Sequence, residues 1–344
     1  MMDIADIHIL STGTVLPGPP IENATLARHF RMNSMWEQWV DAFVGTKTRH
    51  LAIDIETGEI CYSLADLGVT AASRALAAAG LDASTVDLVV MATSTPDHLM
   101  PATVTLVADR LGIDGVPTYQ LQSGCTGAVQ ALDVARALLL AGGRRTALVI
   151  GADTCAKHVD LGMNLGDLTP AELVNVVLFG DGAGAAVLST EPVAGSALLR
   201  RVFVQLAGLG QPPGHTVEWF GLADRNSNRP AGSEDYKAIE EKVPALSVEI
   251  LAELLGDLGW KEPDLDYLLP PQLSVRMTAR IVKELNVPDA QEVSCIAETG
   301  NTGNALPFFQ VEQVLPLMTA GQRAIGISVE SSKWIKGGFA LEGC

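Results

Sequence analysis

The sequence predicts an α/β protein made of two related halves, and three observations carry that prediction. Apolar, β-rich runs alternate with Ala- and Leu-rich stretches of helical period along the whole chain, the pattern of sheets covered by helices. Segments also echo one another in the same order at an offset of about 175–180 residues. Finally, 344 residues with 48% hydrophobic and 18% charged content supply ample core and exclude a disordered chain.

The elements follow from these patterns. Residues 86–95 (VDLVVMATST), 146–151, 185–188 and 324–329 are largely apolar runs of strand length. Residues 67–79, 102–111, 128–141, 245–258 and 275–285 have helical spacing. The echoes pair 71–95 with 246–272, 102–115 with 274–290, 123–135 with 299–315, and 146–188 with 323–341. The chain is therefore expected to divide into residues 1–190 and 191–344, with the join near 190–195. The Gly/Pro/Asn-rich stretch 208–233 reads as a long loop or insertion of the kind that shapes a pocket.

Charge and cysteine usage exclude several functions. With 23 Lys and Arg against 40 Asp and Glu, the net charge is −17, the wrong sign for general nucleic-acid binding. Cys61, Cys125, Cys155, Cys295 and Cys344 form no CxxC pair and no Cys/His cluster, so neither a disulfide framework nor a zinc site is expected. The start lacks the basic and apolar regions of a signal peptide, and no run of about 18 apolar residues occurs. A cytoplasmic protein with reduced thiols and no membrane association is expected.

One cysteine stands out. Cys125 in QLQSGCTGAVQAL follows an apolar segment and precedes a strong helical pattern, among the small residues Ser123, Gly124 and Gly127. Free amides and the helix dipole stabilise a thiolate at such a position, and only the thiolate is a good nucleophile. The alternative is a buried structural cysteine.

GCTGA around Cys125, FGDGAGAAVL at 179–188, GNTGNA at 300–305 and LPPQLSVRM at 269–277 together resemble the ketoacyl-ACP synthase III family of the thiolase superfamily, in its acyltransferase-like subgroup of natural-product and polyketide biosynthesis. The resemblance covers nearly the whole chain. It implies a thiolase-like fold, with duplicated βαβαβ halves in a five-layered αβαβα arrangement, and a homodimer. It implies Cys125 as the acyl-accepting nucleophile and Asn301 as a second catalytic residue. The family's histidine stands in a P-H-Q segment, but here the segment is Pro270-Pro271-Gln272. All six histidines lie at or before His215, so none in the second half replaces it.

That departure shapes the functional expectation. In the family, His and Asn donate hydrogen bonds to a malonyl thioester carbonyl as decarboxylation builds negative charge on it. One such donor is worth roughly 10²–10³ in rate, and proline offers neither a side-chain donor nor an N–H. The expected enzyme is an acyltransferase. It loads Cys125 from a CoA or carrier-protein thioester and passes the acyl group to a hydroxyl or amine of a small molecule. The alternatives are a decarboxylative condensing enzyme and a non-catalytic partner subunit of a condensing complex. No permanent cofactor and no metal are expected.

The resemblance also places the ligand contacts. Trp39 matches a residue that stacks on the adenine of CoA, and Arg276 a basic carrier contact. Lys157 stands where Arg is common, and Phe43 replaces another Arg. Met100 matches the residue that floors the acyl pocket across the dimer interface. Pro271 and Trp334 are expected to line the substrate pocket, with an oxyanion hole from the Cys125 amide and a backbone amide near Trp334. His98, His158, His215 and Glu298 are weaker candidates for a base. Because CoA and carrier proteins are themselves anionic, a −17 protein needs a basic patch; Lys157, Arg276, Arg200 and Arg201 are its candidates.

Overall fold

The computed structural model describes residues 6–168, 170–219, 221, 223–224, 226 and 232–344. The first half contains β1 (His8–Val15), β2 (Ile21–Glu22), α1 (Asn23–His29), α2 (Ser34–Phe43), β3 (Thr48–Arg49), α3 (Leu64–Ala79), β4 (Leu88–Thr93), α4 (Thr103–Leu111), β5 (Thr118–Gln122), α5 (Gly127–Leu140), β6 (Thr146–Asp153), α6 (Pro170–Leu178) and β7 (Gly182–Ser189). The second contains β8 (Ala197–Leu206), β9 (His215–Val217), β10 (Gly232–Glu234), α7 (Tyr236–Leu258), β11 (Tyr267–Leu269), α8 (Val275–Leu285), β12 (Gln291–Glu292), α9 (Ile296–Thr299), α10 (Leu306–Val314), β13 (Arg323–Glu330) and β14 (Ile335–Gly343).

Ten strands run in the order β12-β11-β13-β14-β8-β1-β7-β6-β4-β5. Among the described residues, the two halves of this sheet meet at β1 and β8, through His8 opposite Leu198 and Ile9 opposite Ala197. Counted within its own half, each set of five has the order third, second, fourth, fifth, first. In each, the second strand pairs parallel with the third and fourth, and the fifth pairs antiparallel with the fourth and first. This shared topology is our basis for proposing the division at residues 190/191.

Packing makes the layers. Ala128, Val129 and Leu132 of α5 share one core with Phe308, Val311 and Val314 of α10 and with strands of both halves, including Val90 and Phe339. Helices α3 and α4 cover the outer face of the first half, and α7 and α8 that of the second. The result is the five-layered arrangement of a thiolase-like fold. Helices α1, α2 and α6 form a cap with its own core around Trp36, Val40 and Val177.

Beyond shifts of two or three residues at several ends, two differences from expectation stand out. Helix α7 starts at Tyr236, not at residue 245, and continues through Pro244. Asp235 caps it by accepting from the Ala238 amide at 3.0 Å, and buried contacts on both sides of the proline hold one helix across it. The stretch 208–233 is not all loop, since β9 pairs antiparallel with β10; residues 220, 222, 225 and 227–231 lie outside the described residues. Among the described residues, no helix is long and apolar enough to cross a membrane.

Candidate active site

Cys125 and Asn301 occupy equivalent places in the two halves, each just before a middle-layer helix, α5 or α10. The turn that carries Cys125 is pinned from three sides. The Ser123 amide donates to Thr93 O at 3.3 Å, Asn304 Nδ2 donates to Ser123 O at 2.9 Å, and Ser328 Oγ donates to Cys125 O at 2.5 Å. Gly127 allows this approach, because a Cβ there would lie 2.2 Å from Asn304 Oδ1.

The electrostatics at the sulfur reverse the sequence expectation. Burial first, and then the charges of Glu330, Asp153 and Glu234, push the Cys125 thiol up to about 12. The Cys125 backbone amide offsets this only in part, and the next two amides are turned to other acceptors. Thr126 N reaches Glu330 Oε2 at 3.4 Å, and Gly127 N donates to Gly124 O at 2.8 Å. The surroundings of unliganded Cys125 therefore favour the thiol over the thiolate.

Three buried residues that the sequence reading did not single out build this site. Asp153 is 1% exposed. Its Oδ1 accepts from Thr93 Oγ1, Ser94 N, Ser94 Oγ and Thr95 Oγ1, and its Oδ2 from the Asn304 amide and Asn304 Nδ2. Glu330 accepts from Ser123 Oγ at 2.6 Å, Thr126 Oγ1 at 2.7 Å, and Ser332 Oγ. Asn304, inside GNTGNA, links Asp153 to the nucleophile turn. The glycines of FGDGAG serve close packing: a Cβ at Gly180 would lie 2.5 Å from Thr299 O, and one at Gly184 2.5 Å from Phe308 Cβ.

Asn301 is 4% exposed and clamped to the end of α6. Its amide donates to Leu178 O, and its carbonyl accepts from Gly180 N. Its Oδ1 accepts from Gly303 N at 3.0 Å, which fixes the amide orientation. Among the described residues its Nδ2 has no hydrogen-bond partner, as an anion-stabilising donor requires. Pro271 follows β11 and is buried; its carbonyl accepts from Thr278 Oγ1 at 3.4 Å, and it presents no donor. Gln272 Oε1 accepts from Ser294 Oγ and from the Cys295 and Ile296 amides.

Trp39 and Arg276 come together through Phe43. The Trp39 and Phe43 rings stack with centroids 6.1 Å apart, and the Arg276 guanidinium lies 5.5 Å from the Phe43 centroid. Phe43 is 54% exposed, so this apolar-cationic surface is open to a ligand. Lys157 is not part of it: Nζ donates to Thr95 O at 2.5 Å and Pro96 O at 2.7 Å. Arg200 and Arg201 are paired with Glu342 and Asp257, which removes them from the expected basic patch.

Trp334 also departs from its expected place. Its indole is 1% exposed, donates Nε1–H to Pro212 O at 2.8 Å and lies under Lys242 Nζ, 4.3 Å from the ring centroid. It builds the second half's outer core, while Ser328, Glu330 and Ser332 of the same region reach toward the nucleophile turn. Met100 is 87% exposed beside Leu99 at 70%. Among the described residues, His98, His158, His215 and Glu298 make no hydrogen bond to Cys125, Pro271 or Asn301. Burial, followed by the charge of Lys157, lowers His158 below the usual histidine range. No group of three metal-ligating side chains occurs among the described residues.

Comparison with known proteins gives a consistent set of matches. Residues 119–204 match the family model for 3-oxoacyl-(acyl-carrier-protein) synthase III. The chain is 32% identical over 338 residues to the β-ketoacyl-(acyl-carrier-protein) synthase III of Pseudomonas aeruginosa (strain LESB58), covering 96% of this chain and 92% of that one. A solved structure described as AbyA1, tetronic acid condensing enzyme, is 62% identical with a TM-score of 0.95, covering 98% of this chain and 100% of that chain. The priming β-ketosynthase of the R1128 polyketide pathway is 26% identical with a TM-score of 0.84, covering 100% and 98%.

Proposed function

Because the chain belongs to the 3-oxoacyl-(acyl-carrier-protein) synthase III family, we propose that it is an acyltransferase whose acceptor is activated without decarboxylation. In the first step the Cys125 thiol attacks an acyl thioester of CoA or a carrier protein. A new Cys125 thioester forms, the old C–S bond breaks, and the proton leaves with the released thiol. In the second step a hydroxyl attacks the Cys125 thioester, an ester C–O bond forms, and the thiol is regenerated. Asn301 Nδ2 is the proposed donor to the oxyanion.

The observation that carries this reading is Pro271, buried where the family's histidine is expected and offering only a carbonyl that accepts from Thr278. The neighbour at 62% identity is described as a tetronic acid condensing enzyme, which fits a condensing role as well as transfer and narrows the acceptor. A tetronic acid ring contains one acyl–oxygen bond and one new acyl–carbon bond. Neither requires loss of carbon dioxide when the carbon nucleophile is the acidic methylene between a ketone and a thioester. We therefore favour a hydroxyl over an amine, and a 3-oxoacyl thioester over a malonyl one, as the reacting partner.

Decarboxylative condensation is the second reading, favoured by the curated relatives at about a third identity. Carbon dioxide release from malonyl thioester separates the two. The proposal expects release no faster than from a Cys125→Ala variant; release that keeps pace with acyl transfer overturns it. The exposed Leu99 and Met100 pair is the proposed dimer contact, with a cytoplasmic setting and Trp39, Phe43 and Arg276 as the proposed donor mouth.

A further inference from the structure

Glu330 leans on the nucleophile turn although no expected role covers it. It is 5% exposed at the end of β13. Oε2 holds Ser123 and Thr126, the residues that bracket the Gly124–Cys125 pair, and Oε1 holds Ser332. A Cβ at Gly124 would lie 3.3 Å from the Glu330 carboxyl carbon. The carboxylate therefore sits in contact with the segment that presents the sulfur.

Nearby cations are turned elsewhere. Lys333 Nζ donates to Gln211 O, and Lys336 Nζ is bound by Glu249 and Glu253 of α7. Lys157 Nζ is engaged by the Thr95 and Pro96 carbonyls. Among the described residues no ion pair includes Glu330. Asp153 from β6 and Glu234 from β10 reach the same sulfur with charge of the same sign, and together with burial the three carboxylates hold its thiol up.

We infer that Glu330 is a specificity-determining residue whose negative charge beside Cys125 disfavours reactants carrying their own carboxylate and admits neutral ones. The excluded class includes malonyl thioesters; the admitted class includes hydroxyacyl and 3-oxoacyl thioesters. This rests on the reading of the site as one that works without decarboxylation, and supplies a second reason for it besides Pro271. In a partly buried site, a like charge held a few ångströms away changes a rate by roughly three- to thirtyfold.

Two alkylating agents of similar size test the charge directly on the full chain: neutral iodoacetamide and anionic iodoacetate. Each forms an S–C bond and expels iodide, so the ratio of their rates at Cys125 cancels the thiolate fraction. Peptide mass spectrometry reads the site, and the same ratio for 2-mercaptoethanol is the neutral reference. We expect wild type to favour iodoacetamide by at least about threefold over the reference. Glu330→Gln, which keeps an amide oxygen for Ser123 and Thr126, should lower that preference about threefold, and Glu234→Gln should lower it less. A wild-type ratio equal to the reference overturns the inference, and so does an unchanged ratio in folded Glu330→Gln. If that variant does not fold, the wild-type ratio and Glu234→Gln decide. Loading of Cys125 by a neutral acyl thioester is measured alongside. Loading without charge preference sinks the inference alone, whereas charge preference without loading sinks the functional reading.

Discussion

Cys125 gains its properties from residues far away in sequence. Glu330 contacts Ser123 across 207 residues, and Asn304 reaches Ser123 across 181. Removing Asn304 leaves the Ser123 carbonyl and Asp153 Oδ2 each short of a buried donor, a loss of about 1–3 kcal/mol. Asn304→Ala should therefore lower the urea midpoint and slow Cys125 acylation together. At the mouth, Arg276→Ala should raise KM for a CoA thioester and reduce its salt dependence. Lys157→Ala should leave that salt dependence unchanged, because its ammonium is engaged by two backbone carbonyls; equal effects of the two variants would contradict this division. Cys125 was singled out by its place among small residues before a helical pattern, whereas Asn301 was named only through the family resemblance. Glu330 was not legible, since a single acid after AIGISV has no spacing to mark it. Trp334 misled for a related reason: its neighbours in sequence do not disclose that its indole turns under Pro212.

At the scale of elements, helical spacing located α5 and α8 to within one residue and missed the start of α7. Helical spacing was read only from residue 245, just after Pro244, and packing reveals that the helix passes through the proline. Two glycines give a sharper contrast. A Cβ at Gly127 would collide with Asn304 Oδ1 at 2.2 Å and meet Ala92 Cβ at 3.0 Å, whereas one at Gly256 on α7 meets nothing within 4 Å. Gly127→Ala should destabilise by about 1–3 kcal/mol through overpacking and slow acylation. Gly256→Ala should stabilise by about 0.5–1 kcal/mol by reducing the freedom of the unfolded chain. Urea denaturation of both variants checks the pair, and the same sign for both would show that the close approach at α5 is relaxed.

For the whole molecule, two five-stranded sets with one topology explain why the sequence echoes fell in a fixed order. Each echo pairs equivalent elements: α3–β4 with α7–β11, α4 with α8, α5 with α10, and β6–β7 with β13–β14. The net charge of −17 predicted a basic patch, and the structure reduces it to Arg276 on an aromatic pair. Buried acids and thiols give the fold a pH dependence. Burial raises Asp181 to about 6 despite amides donated by Ala52 and Ala156, and raises Cys295 to about 11. In both cases the folded state binds its proton more tightly than the unfolded chain does. Stability contributed this way is full below the unfolded value and falls as pH rises through the folded one. Stability should thus fall between about pH 4 and 6 on account of Asp181, and again from about pH 9 to 11 on account of Cys295. Urea midpoints measured across pH check the second window; the raised thiols of Cys125 and Cys155 act in the same direction, so Cys295→Ala should lessen the slope there without removing it.

The central claim is that Cys125 carries an acyl group and hands it on without decarboxylation. Intact mass of the protein after incubation with the CoA thioester of an uncharged acyl group, before and after addition of a hydroxylated acceptor thioester, tests it most directly. The account predicts an adduct of one acyl group on wild type, absent from Cys125→Ala, that disappears when the acceptor is added with no carbon dioxide released. No adduct, or an adduct that only malonyl thioester discharges, would contradict it.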